Sequence, residues 1–220
     1  MLIAAGAIAV AVVAIALSLV LGGSDKKATT VNADLSSLAG IPQHGLVLGN
    51  PLARVALREF ADTSCPLCRD FALGTFPTLS DQYVRTGKVR AELRLVDFVA
   101  VSSPRGRKLV LAAARQNKAW QMLELLYQNQ GDERTDWLTD DLARAIAQKI
   151  PGLDVEKLFA DADSTAVADQ GDSMNSEAQS SRVNGTPTFL VVVNGAVKSQ
   201  VLGNQPLETF TQQLDQALNP

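Results

Sequence analysis

Polar and apolar side chains alternate most strictly from Val89 to Val96, where Val89, Ala91, Leu93 and Leu95 fall opposite Arg90, Glu92 and Arg94. A period of two predicts a strand with one face in the core and the other in water. Val55 to Phe60 reads as a second strand, and Thr188 to Val193 as an apolar strand of the buried type. Asn194-Gly195 then predicts a tight hairpin into a partner strand over Val197 to Leu202. Leu46-Val47-Leu48 is a short apolar run closed by the turn residues Gly49-Asn50-Pro51. Helical periods fill the rest. Phe71 to Gly87 is helical with an interruption near Gly74 to Pro77. Pro104 to about Gln130 carries Leu109, Ala112, Ala113, Trp120, Leu123 and Leu126 at helical spacing. A further helix starts at Thr139 or Asp140, good capping residues, and stops at Pro151-Gly152. Asp154 to about Ser181 is again helical, with weaker amphipathy. The last helix, Pro206 to Leu218, puts Leu207, Phe210, Leu214 and Leu218 on one face. The order is βα, β, a helical block, ββ, α, with no internal repeat.

The N-terminal stretch follows neither period. Met1 to Leu21 has no charged side chain and is nearly all Ala, Val, Ile and Leu. As a helix it spans roughly 30 Å, the thickness of a bilayer core, which predicts a transmembrane anchor over residues 1–22. A cleaved signal peptide is the other reading, but its apolar region is usually only about 7–15 residues. This stretch is longer and ends in Gly22-Gly23-Ser24 without a clear small-x-small site. Lys26 and Lys27 on its C-terminal side argue weakly against export of the C-terminal part. Residues 23–44 are polar and small, with Pro42, and predict a flexible linker. Residues 45–220 form the main domain, with a helical insertion over about 103–182.

Composition adds mostly exclusions. The chain is 46% hydrophobic, enough for a sizeable core, and its formal net charge is −3. Basic residues are scattered and aromatics reach only 5%, so neither an electrostatic footprint for nucleic acid nor a base-stacking platform is present. Trp120, Met122 and Met174 read as core or helix-packing residues.

The candidate chemistry is one short stretch. Cys65-Pro66-Leu67-Cys68 holds both cysteines of the chain, directly after the Val55–Phe60 strand and at the start of a helix. Pro66 suits the first helical position, where a missing N–H costs nothing. A sulfur at Cys65 then faces unpaired backbone N–H groups and the positive end of the helix, which favours the nucleophilic thiolate. Cys65 is therefore expected to be exposed and to titrate below the reference of about 8.5, with Cys68 shielded. Two other readings stand beside redox chemistry. A structural zinc site wants four ligands, and the sole histidine, His44, lies in the predicted linker. A structural disulfide across two residues closes too short a loop to be an effective staple.

Three patterns together resemble the DsbA-like family of extracytoplasmic thiol-disulfide oxidoreductases. They are Gly49-Asn50-Pro51 followed by Glu59-Phe60-Ala61-Asp62, the Cys65-Pro66-Leu67-Cys68 pair, and Val183-Asn184-Gly185-Thr186-Pro187-Thr188-Phe189. The resemblance covers roughly Gly45 to Leu218. It implies an α/β thioredoxin fold with an inserted helical domain, preceded here by the N-terminal transmembrane helix. It also implies that Pro187 is a cis-proline facing the redox pair and leaving the backbone of Thr186 open to an extended substrate segment, paired as an added strand. Pro66 and Leu67 would flank that substrate. Glu59 matches a buried acid of the family; a pKa raised by burial would let it relay a proton during exchange. Its alternative is a solvent-facing carboxylate. At the place of Leu67 strongly oxidising members have a histidine, so an extreme potential is not expected here.

The resemblance thus implies a membrane-anchored oxidoreductase of the bacterial cell envelope. Cys65 would exchange with thiols of exported proteins and Cys68 would resolve the mixed disulfide. The redox-active Cys65–Cys68 disulfide is the expected redox group, with no other cofactor and no metal. An integral-membrane, quinone-linked partner would re-oxidise it. A reductase or isomerase of the same fold, and a non-catalytic chaperone or metallochaperone module, remain the alternatives.

Overall fold

The computed structural model describes residues 29–219, so the predicted anchor at 1–22 lies outside the described residues. Among the described residues, no helix is long and apolar enough to cross a membrane. Six strands form one sheet: β1 (Gln43–His44), β2 (Val47–Leu48), β3 (Val55–Ala61), β4 (Val89–Leu95), β5 (Thr188–Val193) and β6 (Ala196–Leu202). Their order across the sheet is β1-β2-β4-β3-β5-β6. β3 and β4 are parallel, with Glu59 opposite Leu93, and all other pairs are antiparallel. The β5–β6 hairpin turns on Asn194 and Gly195, both at positive φ, as the Asn-Gly pair predicts.

Helix α1 (residues 66–84) follows β3 and runs on without the expected break at Gly74 to Pro77. Two π turns, Phe71–Thr75 and Ser80–Val84, lie within it. The first, closed by Phe76 N–H to the Phe71 carbonyl, resets the ladder so that Pro77 enters a new first turn, where no N–H is required. The helical block holds α2 (Ser103–Ala114), α3 (Ala119–Gln128), α4 (Asp140–Ala147), α5 (Val155–Ala162) and α6 (Thr165–Ser180), and α7 (Leu207–Leu218) ends the chain. Two long predicted helices are thus each split. Asn117 at φ 56° breaks the first, while Ser164 starts α6 by accepting the Val167 N–H at 3.4 Å. Thr139 caps α4 through Leu142 N–H at 3.2 Å, as expected.

Phe71 of α1, Phe189 of β5 and Phe210 of α7 meet on one sheet face with ring centroids 4.4–5.1 Å apart. Leu57, Ala61 and Leu93 belong to the same core. The opposite face was predicted wet along β4, yet α6 covers it. Glu92 is only 5% exposed there and is bonded by Arg58, Arg90 and Arg94, the first and last of which also reach Glu177 of α6. Charge pairing lets the polar side of a strand go under a helix.

The predicted linker also ends earlier than expected. Asn32 and Asn129 exchange two hydrogen bonds of 2.8 Å, Ser36–Leu38 forms a short 3-10 turn, and Leu38 and Ile41 are buried. Paired amides and two apolar anchors fasten residues 32–44 to the domain, and His44 stands exposed in β1.

Candidate functional site

The chain leaves β3 at Ala61, turns through Asp62-Thr63-Ser64, and enters α1 with Cys65 as its N-cap. Cys65 is extended (φ −79°, ψ 120°), Pro66 follows at the first helical position, and the Cys68 N–H donates to the Cys65 sulfur at 3.3 Å. Both cysteines are free thiols. Contrary to expectation Cys65 is not exposed: it keeps 4% of its surface, and Cys68 none. The loop ahead of β5 is the cover, since the Cys65 thiol donates to the Thr186 carbonyl at 3.3 Å. The Thr186–Pro187 peptide is cis. Thr186 is half-buried, Pro187 buried, Pro66 half-buried, and Leu67 stands out at 51% exposure. A shallow pocket of roughly 350 Å³ lies along Thr186, Pro187, Gln200 and Leu202.

The two sulfurs are electrically distinct. Hydrogen bonding from the Cys68 side chain is the main influence lowering Cys65 to about 7; burial opposes it, while the Thr186 side chain and the Cys68 and Leu67 amides add to it. The Thr186 hydroxyl is buried without any other partner, which leaves it free to face a thiolate. Cys68 moves the opposite way, because burial and then the neighbouring Cys65 disfavour its charge. One thiol ionises near neutrality while the other holds its proton.

Glu59 lies beneath this pair, on the core face of β3. It is 5% exposed and its Oε1 has no partner. Burial, then the charge of Cys65, raises it to about 8. Glu59 thus favours its neutral form at pH 7, and once ionised its charge would raise Cys68 as well.

Beyond Asp62, which the sequence marks only through the resemblance, the other residues of the site carry no signal in the sequence. The Asp62 carboxylate is fully buried and accepts from Ser64 N–H (2.8 Å), Ser103 Oγ (2.7 Å) and Val99 N–H (3.0 Å). The helical insertion grips the same turn: Tyr127 donates to the Asp62 carbonyl (3.2 Å), Trp137 to Ser64 Oγ (3.2 Å), and Gln130 to the Thr63 and Cys65 carbonyls. Gly106 of α2 packs so closely that a Cβ there would lie 2.0 Å from Thr63 Oγ1. These partners are about 40 to 75 residues from the turn, and no spacing rule reaches that far.

A central sheet with a Cys-x-x-Cys dithiol at a helix start, a proline loop over its sulfur and a buried acid beneath defines a thioredoxin-fold dithiol protein. Comparison with known proteins narrows the class. A thioredoxin family model matches residues 42–216. A probable disulfide bond formation protein D of Bacillus cereus is 30% identical over 174 residues, 78% of this chain and 77% of that protein. The disulfide bond formation protein D of Bacillus subtilis is 26% identical over 151 residues, 66% of each. A thioredoxin-like oxidoreductase of Silicibacter pomeroyi superposes with a TM-score of 0.66 at 27% identity, over 86% of this chain and 99% of that one. DsbA of Chlamydia trachomatis shares the fold at 20% identity, with a TM-score of 0.65 over 78% and 90% of the two chains. The chain belongs to the thioredoxin superfamily and, within it, to the DsbA-like thiol-disulfide oxidoreductases.

Proposed function

We propose that this protein is a dithiol oxidase working outside the cytoplasm, tethered by residues 1–22 as a single-pass anchor and acting on thiols of exported proteins. The observation that carries the reading is geometric: Cys65 caps the helix with its sulfur accepting the Cys68 N–H at 3.3 Å, which favours its thiolate as the leaving group, while Cys68 is fully buried. In the oxidative half-cycle, a substrate thiolate attacks Cys65 of the Cys65–Cys68 disulfide. The Cys65–substrate bond forms, and Cys68 leaves with the electron pair and takes a proton from neutral Glu59. A second substrate thiolate then attacks the substrate sulfur of that mixed disulfide, and Cys65 leaves as a stable thiolate. Two electrons have passed from substrate to motif. A quinone-linked membrane protein would withdraw them and restore the disulfide. An extended substrate segment would lie along the Thr186 backbone, with Leu67 and Pro66 flanking it.

Each tenfold increase in Cys65 acidity stabilises the reduced form by about 1.4 kcal/mol, or about 30 mV. The Cys65 value is depressed, so this stabilisation is complete above the unfolded value near 8.5 and is lost as pH falls through about 7. Cys68 is raised, so its contribution is complete below the unfolded value and is lost as pH rises beyond it. Around pH 7–8.5 the reduced form should therefore be the more stable, with the gap closing in acid. Leu67 offers the thiolate no hydrogen-bond donor from its side chain, which keeps the gap modest. Chemical denaturation of both redox forms at pH 7.5 and pH 5 is the test. A disulfide form that is the more stable at pH 7.5 would overturn the oxidase direction in favour of a reductase.

A further inference from the structure

The peptide joining Cys65 to Pro66 has no N–H, because its nitrogen belongs to proline. Its carbonyl oxygen is therefore the only polar handle by which the rest of the protein can hold that plane. The tilt of this plane is the ψ angle of Cys65, here 120°, and it decides whether the side chain turns back over the first turn of α1. Two groups grasp the oxygen. Arg69 N–H donates from within the helix at 3.1 Å, and Gln130 Nε2 donates from the helical insertion at 3.2 Å. Among the described residues, no other side chain bonds it.

The same Gln130 nitrogen donates to the Thr63 carbonyl at 2.9 Å, so one amide spans both ends of the turn that delivers the sulfur. Both partners are carbonyls, which only accept, so the amide can face them with its NH₂ alone. Gln130 lies two residues beyond α3 and is half-buried, so a staple of loop to insertion is the plainer role. A staple at Thr63 alone would serve for that. The second bond, to the peptide of the nucleophile itself, argues for more.

We infer that Gln130 is a positioning residue of the redox centre, whose amide holds the Cys65–Pro66 peptide plane so that the Cys65 sulfur meets the Cys68 N–H. Its amide bonds the Thr63 and Cys65 carbonyls and not the sulfur. It acts through the N-cap geometry, in which the 3.3 Å contact from Cys68 N–H stabilises negative charge on the sulfur. The inference rests on the proposed thiol-disulfide exchange and deepens it by naming what sets the nucleophile.

The experiment uses the full chain, reduced, with Gln130→Met (similar length, no donor) and Gln130→Glu (isosteric, no donor at neutral pH). Alkylation of Cys65 is followed against pH by mass mapping, beside thermal unfolding and near-ultraviolet dichroism. Both variants should titrate Cys65 at higher pH than wild type, Glu further than Met. At pH 6 alkylation should be about threefold slower in the Met variant, following the lost thiolate, with the unfolding temperature little changed. Midpoints equal to wild type in both variants would overturn the inference, as would variants that lose native dichroism, since the amide would then be serving the fold and not the cysteine. Failure of the exchange reading shows separately: wild type would leave glutathione disulfide untouched while its Cys65 midpoint could still be read.

Discussion

Glu59 and Glu92 sit on neighbouring strands of one sheet, each only 5% exposed, and they end in opposite electrical states. Arg58 pairs with Glu92 in register and Glu59 with Leu93, so the two carboxyls point to opposite faces. Burial pushes both up. For Glu92, the Arg58, Arg90 and Arg94 guanidiniums more than reverse it, with bonds of 2.9, 2.8 and 3.4 Å. For Glu59 no cation is at hand among the described residues, and Cys65 pushes further the same way, to about 8. Equal burial therefore says little about a buried acid; its partners decide whether it is a structural tie or a proton store. The face under α6 satisfies its charges, and the face under the dithiol leaves one acid without a charge partner, where the proposed exchange calls for a proton.

The strongest way to break this comparison is to remove the satisfied acid. Glu92→Ala leaves Arg90 without its carboxylate and Arg58 and Arg94 with Glu177 alone, so the protein should lose about 3 kcal/mol in urea denaturation, the lower end for breaking a buried pair. Exchange by the surviving folded fraction should be unchanged. A loss of exchange without loss of stability would mean that the two faces are not independent.

Glu59→Gln should do the reverse. Because the folded pKa of Glu59 is raised, its stabilising contribution is complete below the unfolded value near 4.3. It falls as pH rises toward about 8, by up to about 1.4 kcal/mol per pH unit. The glutamine variant should lack that falling limb and be at least as stable as wild type at pH 7. Formation of the Cys65–substrate mixed disulfide, the step in which Cys68 leaves, should slow in single-turnover quench. A variant that keeps wild-type pH dependence and turnover would remove Glu59 from the mechanism.

The smallest expected change comes from giving the redox face the cation it lacks. Leu67→His puts an imidazole on an exposed position beside Cys65, where its protonated form favours the thiolate. The Cys65 midpoint should move below that of wild type, and the reduction potential should rise by about 30 mV for each tenfold gain in acidity. Measured against glutathione, an unchanged potential would show that the residue between Pro66 and Cys68 does not tune this centre.

Much of the architecture was legible before the fold was known. The strands at Val55, Val89 and Thr188, the Asn194-Gly195 turn and the Thr139 cap all rest on contacts a few residues apart, which side-chain pattern and turn chemistry dictate. The errors have equally physical sources. Gly74 and Pro77 read as a break because an i→i−4 ladder cannot pass proline, but a π turn could absorb it. Residues 32–44 read as a tether because small polar side chains carry no period, and their hydrogen bonds to Gln128 and Asn129 close across more than 90 residues.

By itself the sequence determined the local chemistry: two cysteines at a helix start, proline at its first position, a glutamate six residues upstream, and a proline loop ahead of a buried strand. Tertiary structure alone decided what surrounds them. Whether Glu59 or Glu92 met arginine depended on strand register and on where α6 came to rest. Whether Cys65 lay open or covered depended on the reach of Thr186 across 121 residues. The grip of Tyr127, Gln130 and Trp137 on the turn before Cys65 depended on docking the whole helical insertion. Such contacts arise from burying apolar surface over the whole domain, and a hydrogen bond that closes a long loop leaves no periodic trace in the chain that makes it.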